Sequence, residues 1–220
     1  MSSGGPTSVR ARSIGGAWLS VAGRILTDGS AARWGSQPTR ELLRVTIEVD
    51  HPVPEDPIIA RFADPERLAW MHANFTERSP VAELGDADSY AIRLYDYARM
   101  GRDQVAWVIE RLQADPGARD ATITTFQPLT DSSYVPCVSL LDFWVEDARL
   151  QLAVYAHSID FGTKGYANLV ELAALQKRVA ADCGTTVGRL TMTVKSAHLY
   201  DTELGLMAGI LAQSPSVPPE

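Results

Sequence analysis

With 220 residues, 45% of them hydrophobic and 21% charged, the chain has the composition of one ordinary globular domain with a sizeable core. A formal net charge of −7 excludes a general nucleic-acid or anionic-membrane binder, which carries a basic face, but leaves room for a local cationic pocket. Two cysteines, Cys137 and Cys183, make no disulfide framework, and no apolar run reaches the ~18 residues of a membrane span, so the expected setting is a reducing cytoplasm.

Residues 1–14 are Ser/Gly-rich and are expected to be flexible, residues 15–212 to form the domain, and 213–220 to be a loose Ser/Pro-rich tail. Over 17–27, Trp18, Leu19, Val21, Ala22, Ile25 and Leu26 recur at helical spacing, and Asp28-Gly29 ends the helix. Residues 30–39 read as a polar turn. Over 42–49, Leu43, Val45, Ile47 and Val49 alternate with polar residues as in a half-buried strand, which Pro52, Pro54 and Pro57 end. Asp64-Pro65 starts a helix, 79–88 is loop, and 90–99 fits no single pattern.

Residues 103–113 form a helix with Val105, Val108, Ile109 and Leu112 on one side, closed by Asp115-Pro116-Gly117. A strand is expected at 121–126, a hairpin of 138–145 and 149–156 about Glu146-Asp147-Ala148, a helix at 168–181, a strand at 190–195 and a helix at 202–211. Strands and helices mix without a strict βαβ rhythm, so the class is α+β: a large mixed sheet packed with helices in a single domain.

Candidate chemistry gathers between Tyr134 and Tyr200. A nucleophilic role for Cys137 needs its pKa lowered by cations or hydrogen-bond donors; otherwise the residue is a small buried hydrophobe. His157, Ser158 and Asp160 end a strand before a Gly-rich turn, Asn168 opens a helix, and His198 and Tyr200 share a strand face. Taken singly, these are loop polarity, an N-cap and a hydrogen-bonded edge. There is no zinc-ligand spacing, phosphate loop or serine elbow, so no metal is expected.

In order, Asp28-Gly29, Asp103-Gln104, Asp115-Pro116-Gly117-Ala118-Arg119, Phe126-Gln127-Pro128, Pro136-Cys137, Ser158-x-Asp160, Asn168-Leu169 and Ser196-Ala197-His198-Leu199-Tyr200 run through most of the chain. Together they resemble the thymidylate synthase superfamily, with the closest likeness to short archaeal-type and specialised members. The resemblance implies a thymidylate-synthase-like fold, a homodimer, a small-molecule pyrimidine substrate and 5,10-methylenetetrahydrofolate as cofactor. It implies that Cys137 adds to C6 of the pyrimidine, so that C5 takes up a methyl or hydroxymethyl group. By the same resemblance Asn168 reads the O4/N3 edge of uracil and Asp160 orders the network near base and folate. Ser158 contacts phosphate, His198 and Tyr200 hold the sugar hydroxyl, Arg119 reaches a partner's phosphate and thiol, and Glu66 is the candidate proton relay.

The departures concern phosphate. The family's double arginine reads Arg119-Asp120, the arginine before Ser158 is His157, the histidine after the cysteine is Val138, and a glutamine is Asp142. A His or Asp does not replace a bidentate Arg, and each charge-assisted bond is worth ~1.5–3 kcal/mol. The expected substrate is therefore a modified pyrimidine nucleotide or a less phosphorylated nucleoside. Two alternatives are use of the thiol on another ring without folate, and a non-catalytic homolog acting as a binding or regulatory partner.

Overall fold

Periodicity and caps place the first helix where the sequence predicts it. Residues 7–11, inside the 1–14 stretch expected to be flexible, form a strand instead. The rest of the terminal expectations, at 1–6 and 215–220, lie outside the described residues. The computed structural model describes residues 7–132 and 134–214. A short strand β1 (Thr7–Ala11) leads into helix α1 (Ile14–Asp28), whose Ser13 cap accepts from the Gly16 amide and whose apolar stripe, including Trp18 and Ile25, is fully buried. The polar stretch that follows is a correction to the expected turn: it forms a hairpin of β2 (Ser30–Trp34) and β3 (Gln37–Val49) about Gly35, which has φ +58°. Most of β2 faces solvent, so no apolar alternation marks it.

Within β3 the alternation breaks at Arg44, which takes φ +58°; Leu43 ends 57% exposed while Leu42 packs on the core. Helices α2 (Pro57–Phe62) and α3 (Pro65–Thr76) are capped by Asp56 and Asp64, and both open on a proline. The segment read as loop carries a two-strand ribbon, β4 (Pro80–Val81) and β5 (Ala87–Asp88). The stretch without a clear pattern is helix α4 (Tyr90–Tyr95) and a 3₁₀ turn at Tyr97–Arg99. Helix α5 (Gln104–Ala114) follows with Asp103 as cap.

Strand β6 (Thr122–Thr124) precedes the hairpin of β7 (Val138–Glu146) and β8 (Arg149–Asp160), joined by Asp147 and Ala148, both in the left-handed region as a tight hairpin turn requires. Helix α6 (Gly165–Asp182), strand β9 (Thr186–Tyr200) and helix α7 (Leu204–Gln213) complete the order. Strands β8 and β9 both run further than their apolar alternation indicates, and the extensions hold the candidate site residues. Asn168 is not the N-cap of α6: Lys164 occupies that position, and Asn168 lies one turn inside the helix.

Among the described residues, seven strands form one mixed sheet in the order β1-β3-β9-β8-β7-β6, with β2 added alongside β3. β1 pairs parallel to β3 and β8 parallel to β9; the other neighbours are antiparallel. The helices cover one face, where Ile47, Met192, Val154, Leu141 and Ile123 line up across five strands and are buried. The row Thr46, Thr193, Tyr155 and Leu140 turns the other way, with Tyr155 41% and Leu140 39% exposed. The structure is thus α+β with one large mixed sheet, as expected. Among the described residues no helix is long and apolar enough to cross a membrane.

Candidate active site

Cys137 stands immediately before β7. Its carbonyl accepts from the His157 amide at 3.0 Å, which ties it to β8, and the next amide, that of Val138, donates to the Tyr90 hydroxyl at 2.9 Å. The loop before it is held by Arg93, a guanidinium 2% exposed. Arg93 donates to both Asp131 carboxylate oxygens at 2.8 and 2.9 Å and to the carbonyls of Thr125 and Asp88. Asp131 also accepts from the Gln127 amide at 2.7 Å. A buried ion pair so fully hydrogen-bonded fixes the approach to the cysteine.

Burial pushes the Cys137 thiol above its ordinary value; Lys164 opposes this, Asp160 adds to it, and a hydrogen bond with Tyr134 lowers it again. The free protein therefore holds a thiol rather than a thiolate at neutral pH. Alkylation by iodoacetamide is expected to be slow at pH 7 and to accelerate beyond pH 9, with Lys164→Ala moving the midpoint still higher. The Cys137→Ser protein identifies the signal, because Cys183 is free too and its thiol is likewise raised by burial.

The ends of β8 and β9 bring the other predicted residues together. In the parallel register Ser158 lies opposite Ser196 and Asp160 opposite His198. The Ser158 hydroxyl is 3.4 Å from His198 Nδ1, and the His198 ring meets the Tyr200 ring edge-on at 5.2 Å. His198 Nε2 is buried without a partner, as is His157 Nδ1. Burial lowers both imidazoles, with Lys195 adding to the effect at His157, so both are neutral at pH 7. Asn168 is 3% exposed; its Nδ2 donates to the Lys164 carbonyl at 3.0 Å, while its Oδ1 has no partner.

Asp160 turns back on its own loop. Its carboxylate accepts from the Gly162 amide at 2.8 Å and the Thr163 hydroxyl at 2.6 Å. Beside it lies Glu203, pushed up to about 7 by burial first and then by the Asp160 charge. Asp160, Thr163, Lys164, Tyr200 and Glu203, with Arg67 and Gln37, line a cavity of about 370 Å³. Lys164 Nζ also stands 5.8 Å above the Trp70 ring.

Two predicted residues lie apart from this group. Glu66 is an exposed first-turn residue of α3, and its neighbour Arg67 lines the cavity instead. Arg119 is exposed beside a groove formed with Gly117, Asp142 and Trp144, away from the Cys137 cluster, and Asp120 pairs with Arg111 at 2.8 Å. Sequence reading missed Tyr90, Tyr134, Lys164 and Glu203. Tyr90 looks like a core aromatic in one dimension, whereas Tyr134, Lys164 and Glu203, each within four residues of a named site residue, carried a positional signal.

The sequence of a thymidylate synthase family model matches residues 57–220. A Methanosarcina barkeri protein named provisionally as a thymidylate synthase is 33% identical over 217 residues, covering 92% of this chain and 94% of that one. A counterpart from Methanothermobacter marburgensis is 31% identical, covering 84% and 88%. The thymidylate synthase of Listeria monocytogenes is 28% identical over 120 residues, 54% of this chain and 38% of that one. With the family model covering most of the chain and a relative 33% identical over nearly the full length of both proteins, the chain belongs to the thymidylate synthase family.

Proposed function

We propose that the protein transfers a one-carbon unit to C5 of a uracil nucleotide or nucleoside, with Cys137 as the covalent nucleophile at C6. Family membership supports the transfer to a pyrimidine C5. The observation that carries the finer reading is the unpartnered, buried Asn168 Oδ1 in the first turns of α6. A buried acceptor without a donor is costly, by about 1–3 kcal/mol, unless a ligand supplies one. The N3–H of uracil is such a donor, whereas cytosine presents a lone pair there. His198 Nε2 is the second orphan and, beside Tyr200, suits a sugar hydroxyl.

The thiol of Cys137 loses its proton and its sulfur bonds to C6, which leaves C5 as a carbon nucleophile; release of the C5 proton and of the sulfur later restores the ring. Lys164 favours the thiolate, and Tyr134 donates to it. The cavity residues fit 5,10-methylenetetrahydrofolate. Asp160 and Glu203 offer carboxyl acceptors for pterin N–H groups, and Arg67 suits a glutamate carboxylate. When bound, that cofactor supplies the one-carbon unit. Methyl and hydroxymethyl products share these steps and differ in whether hydride or water completes them.

Neutral His157 and the paired Asp120 support a substrate carrying less phosphate charge than an ordinary nucleotide methylase demands. The open sheet face with Leu140 and Tyr155 is the surface on which a second copy would seat, which is how Arg119 would serve a partner's site.

Tritium release from 5-tritiated dUMP, uridine, UMP and CMP, with and without methylenetetrahydrofolate, tests the reading. Uracil compounds are expected to release tritium and cytosine compounds to be poor substrates. Asn168→Asp should invert that preference by about 10-fold or more, since the new carboxylic acid suits the cytosine edge. Equal rates with uracil and cytosine in both proteins would contradict the role given to Asn168. Release that needs Cys137 but no folate would favour chemistry on the thiol alone.

A further inference from the structure

Glu203 sits where three parts of the site meet. Its Oε2 accepts from the Tyr200 amide at 2.9 Å, its carboxyl lies directly on Gly162, whose amide donates to Asp160, and it stands close enough to Asp160 for the two charges to act on each other. Glycine at 162 leaves room for this contact: a Cβ there would meet the Glu203 carboxyl and make it shift. The Asp160 carboxylate, 7% exposed, is aligned by the Gly162 amide and the Thr163 hydroxyl. Two carboxyls in contact at the wall of a half-enclosed cavity cannot both ionise at low cost.

We propose that Glu203 is a positioning residue of the pocket: it shares one proton with Asp160 and so holds Asp160 and Tyr200 in the arrangement that receives the ligand. The proposal rests on the pyrimidine reading above for the identity of that ligand, but not for the pairing. With the proton present, one carboxyl donates to the other and the ends of β8 and β9 are tied together. Without it, two charges face each other across Gly162, and the wall of the cavity gains negative charge.

The charged and titratable groups that face the pair come from every element around it: Cys137 before β7, Lys164 and Tyr166 at the start of α6, Arg67 on α3, His198 and Tyr200 on β9, and Asp201 beside Glu203. His198 is neutral at pH 7, so the two cations are Lys164 and Arg67, and neither is hydrogen-bonded to Glu203 in the structure. For stability the sign is set by a carboxyl whose folded value lies above its unfolded one. The stabilisation is complete below the ordinary Glu range and is lost as pH rises toward about 7.

The test uses the full chain labelled with ¹³C at the glutamate carboxyls, together with Glu203→Gln and Glu203→Ala. One wild-type carboxyl signal is expected to titrate near pH 7 and to be missing from Glu203→Gln, whose amide keeps a donor toward Asp160 and an acceptor toward the Tyr200 amide. The melting temperature of the wild type should fall from pH 5 to pH 7, and that slope should flatten in Glu203→Gln. Binding of dUMP is expected to weaken several-fold from pH 6 to pH 8.5 in the wild type and to be independent of pH in Glu203→Gln. In Glu203→Ala it should be weaker by tenfold or more at both pH values.

A glutamate set titrating wholly below pH 6 would overturn the shared proton. Wild-type dUMP affinity and pH dependence in Glu203→Ala would overturn the positioning role. Absence of binding of both dUMP and uridine to every form would overturn the pyrimidine reading instead, and the carboxyl titration then decides the pairing on its own.

Discussion

Replacing Cys137 by alanine is expected to abolish tritium release from C5, with a loss on the order of 10⁴- to 10⁶-fold, the scale on which a covalent nucleophile acts. The loss is a chemical one. The Cys137 side chain is half-buried, and its backbone carbonyl, not its sulfur, ties it to β8, so Cys137→Ala should fold with a near-normal melting temperature. Binding of dUMP should survive within a few fold, because Asn168, Ser158 and His198 are untouched. The check is therefore a split: release falls to background while dUMP still binds by calorimetry. Retained release would place the nucleophile elsewhere. Cys183, at the far end of α6 with its thiol against the Ile109 carbonyl at 4.0 Å, offers no alternative, and Cys183→Ser should leave release unchanged.

The largest expected loss of stability is at Asp131. Alanine there strands the Arg93 guanidinium, 2% exposed, with its carbonyl partners but no counter-charge, and it also removes the acceptor of the Gln127 amide. Breaking a buried pair from one side costs about 3–5 kcal/mol. In a chain of this size that corresponds to a fall of roughly 10 °C in melting temperature. Asp131→Asn keeps the shape and one acceptor and should lose less.

The same substitution reaches the site, since residues 127–136 lead directly to Cys137. Asp131→Ala should therefore speed alkylation of Cys137 even at temperatures where the protein stays folded. Urea unfolding followed by fluorescence, with alkylation of the folded protein alongside it, separates the two effects. A melting temperature within 2 °C of wild type, by the scaling of roughly 2–4 °C per kcal/mol, would mean that Arg93 finds another partner.

What was legible in one dimension was whatever local physics decides. Asp64-Pro65 and Asp103 are caps whose side chains bond amides two or three residues on, so their helices could be placed from the sequence. The buried stripes of α1 and α5 follow from 3.6-residue periodicity. The hairpin at Asp147-Ala148 follows from two alternating runs with a polar break between them. The family resemblance likewise rests on short runs whose order survives without any knowledge of contacts, and it named Cys137, Asp160, Asn168, His198 and Tyr200.

Tertiary structure decided everything that depends on solvent exclusion and on pairing over long separations. The β2 hairpin has little apolar alternation because its outer strand faces water, and β8 and β9 are long because each is the other's parallel partner, not because their last residues prefer extended backbone. Arg93 reads as an ordinary helix charge until Asp131, 38 residues on, closes over it. Tyr90, Tyr134, Lys164 and Glu203 are scattered along more than a hundred residues, and their coupling to Cys137 and Asp160 exists only where burial lets charges act at short range. The sequence by itself determined the family, most of the longer elements and a set of candidate residues for the chemistry. Only the folded chain decided which of their protons are held and which acceptors wait for a ligand, because those are properties of buried neighbours.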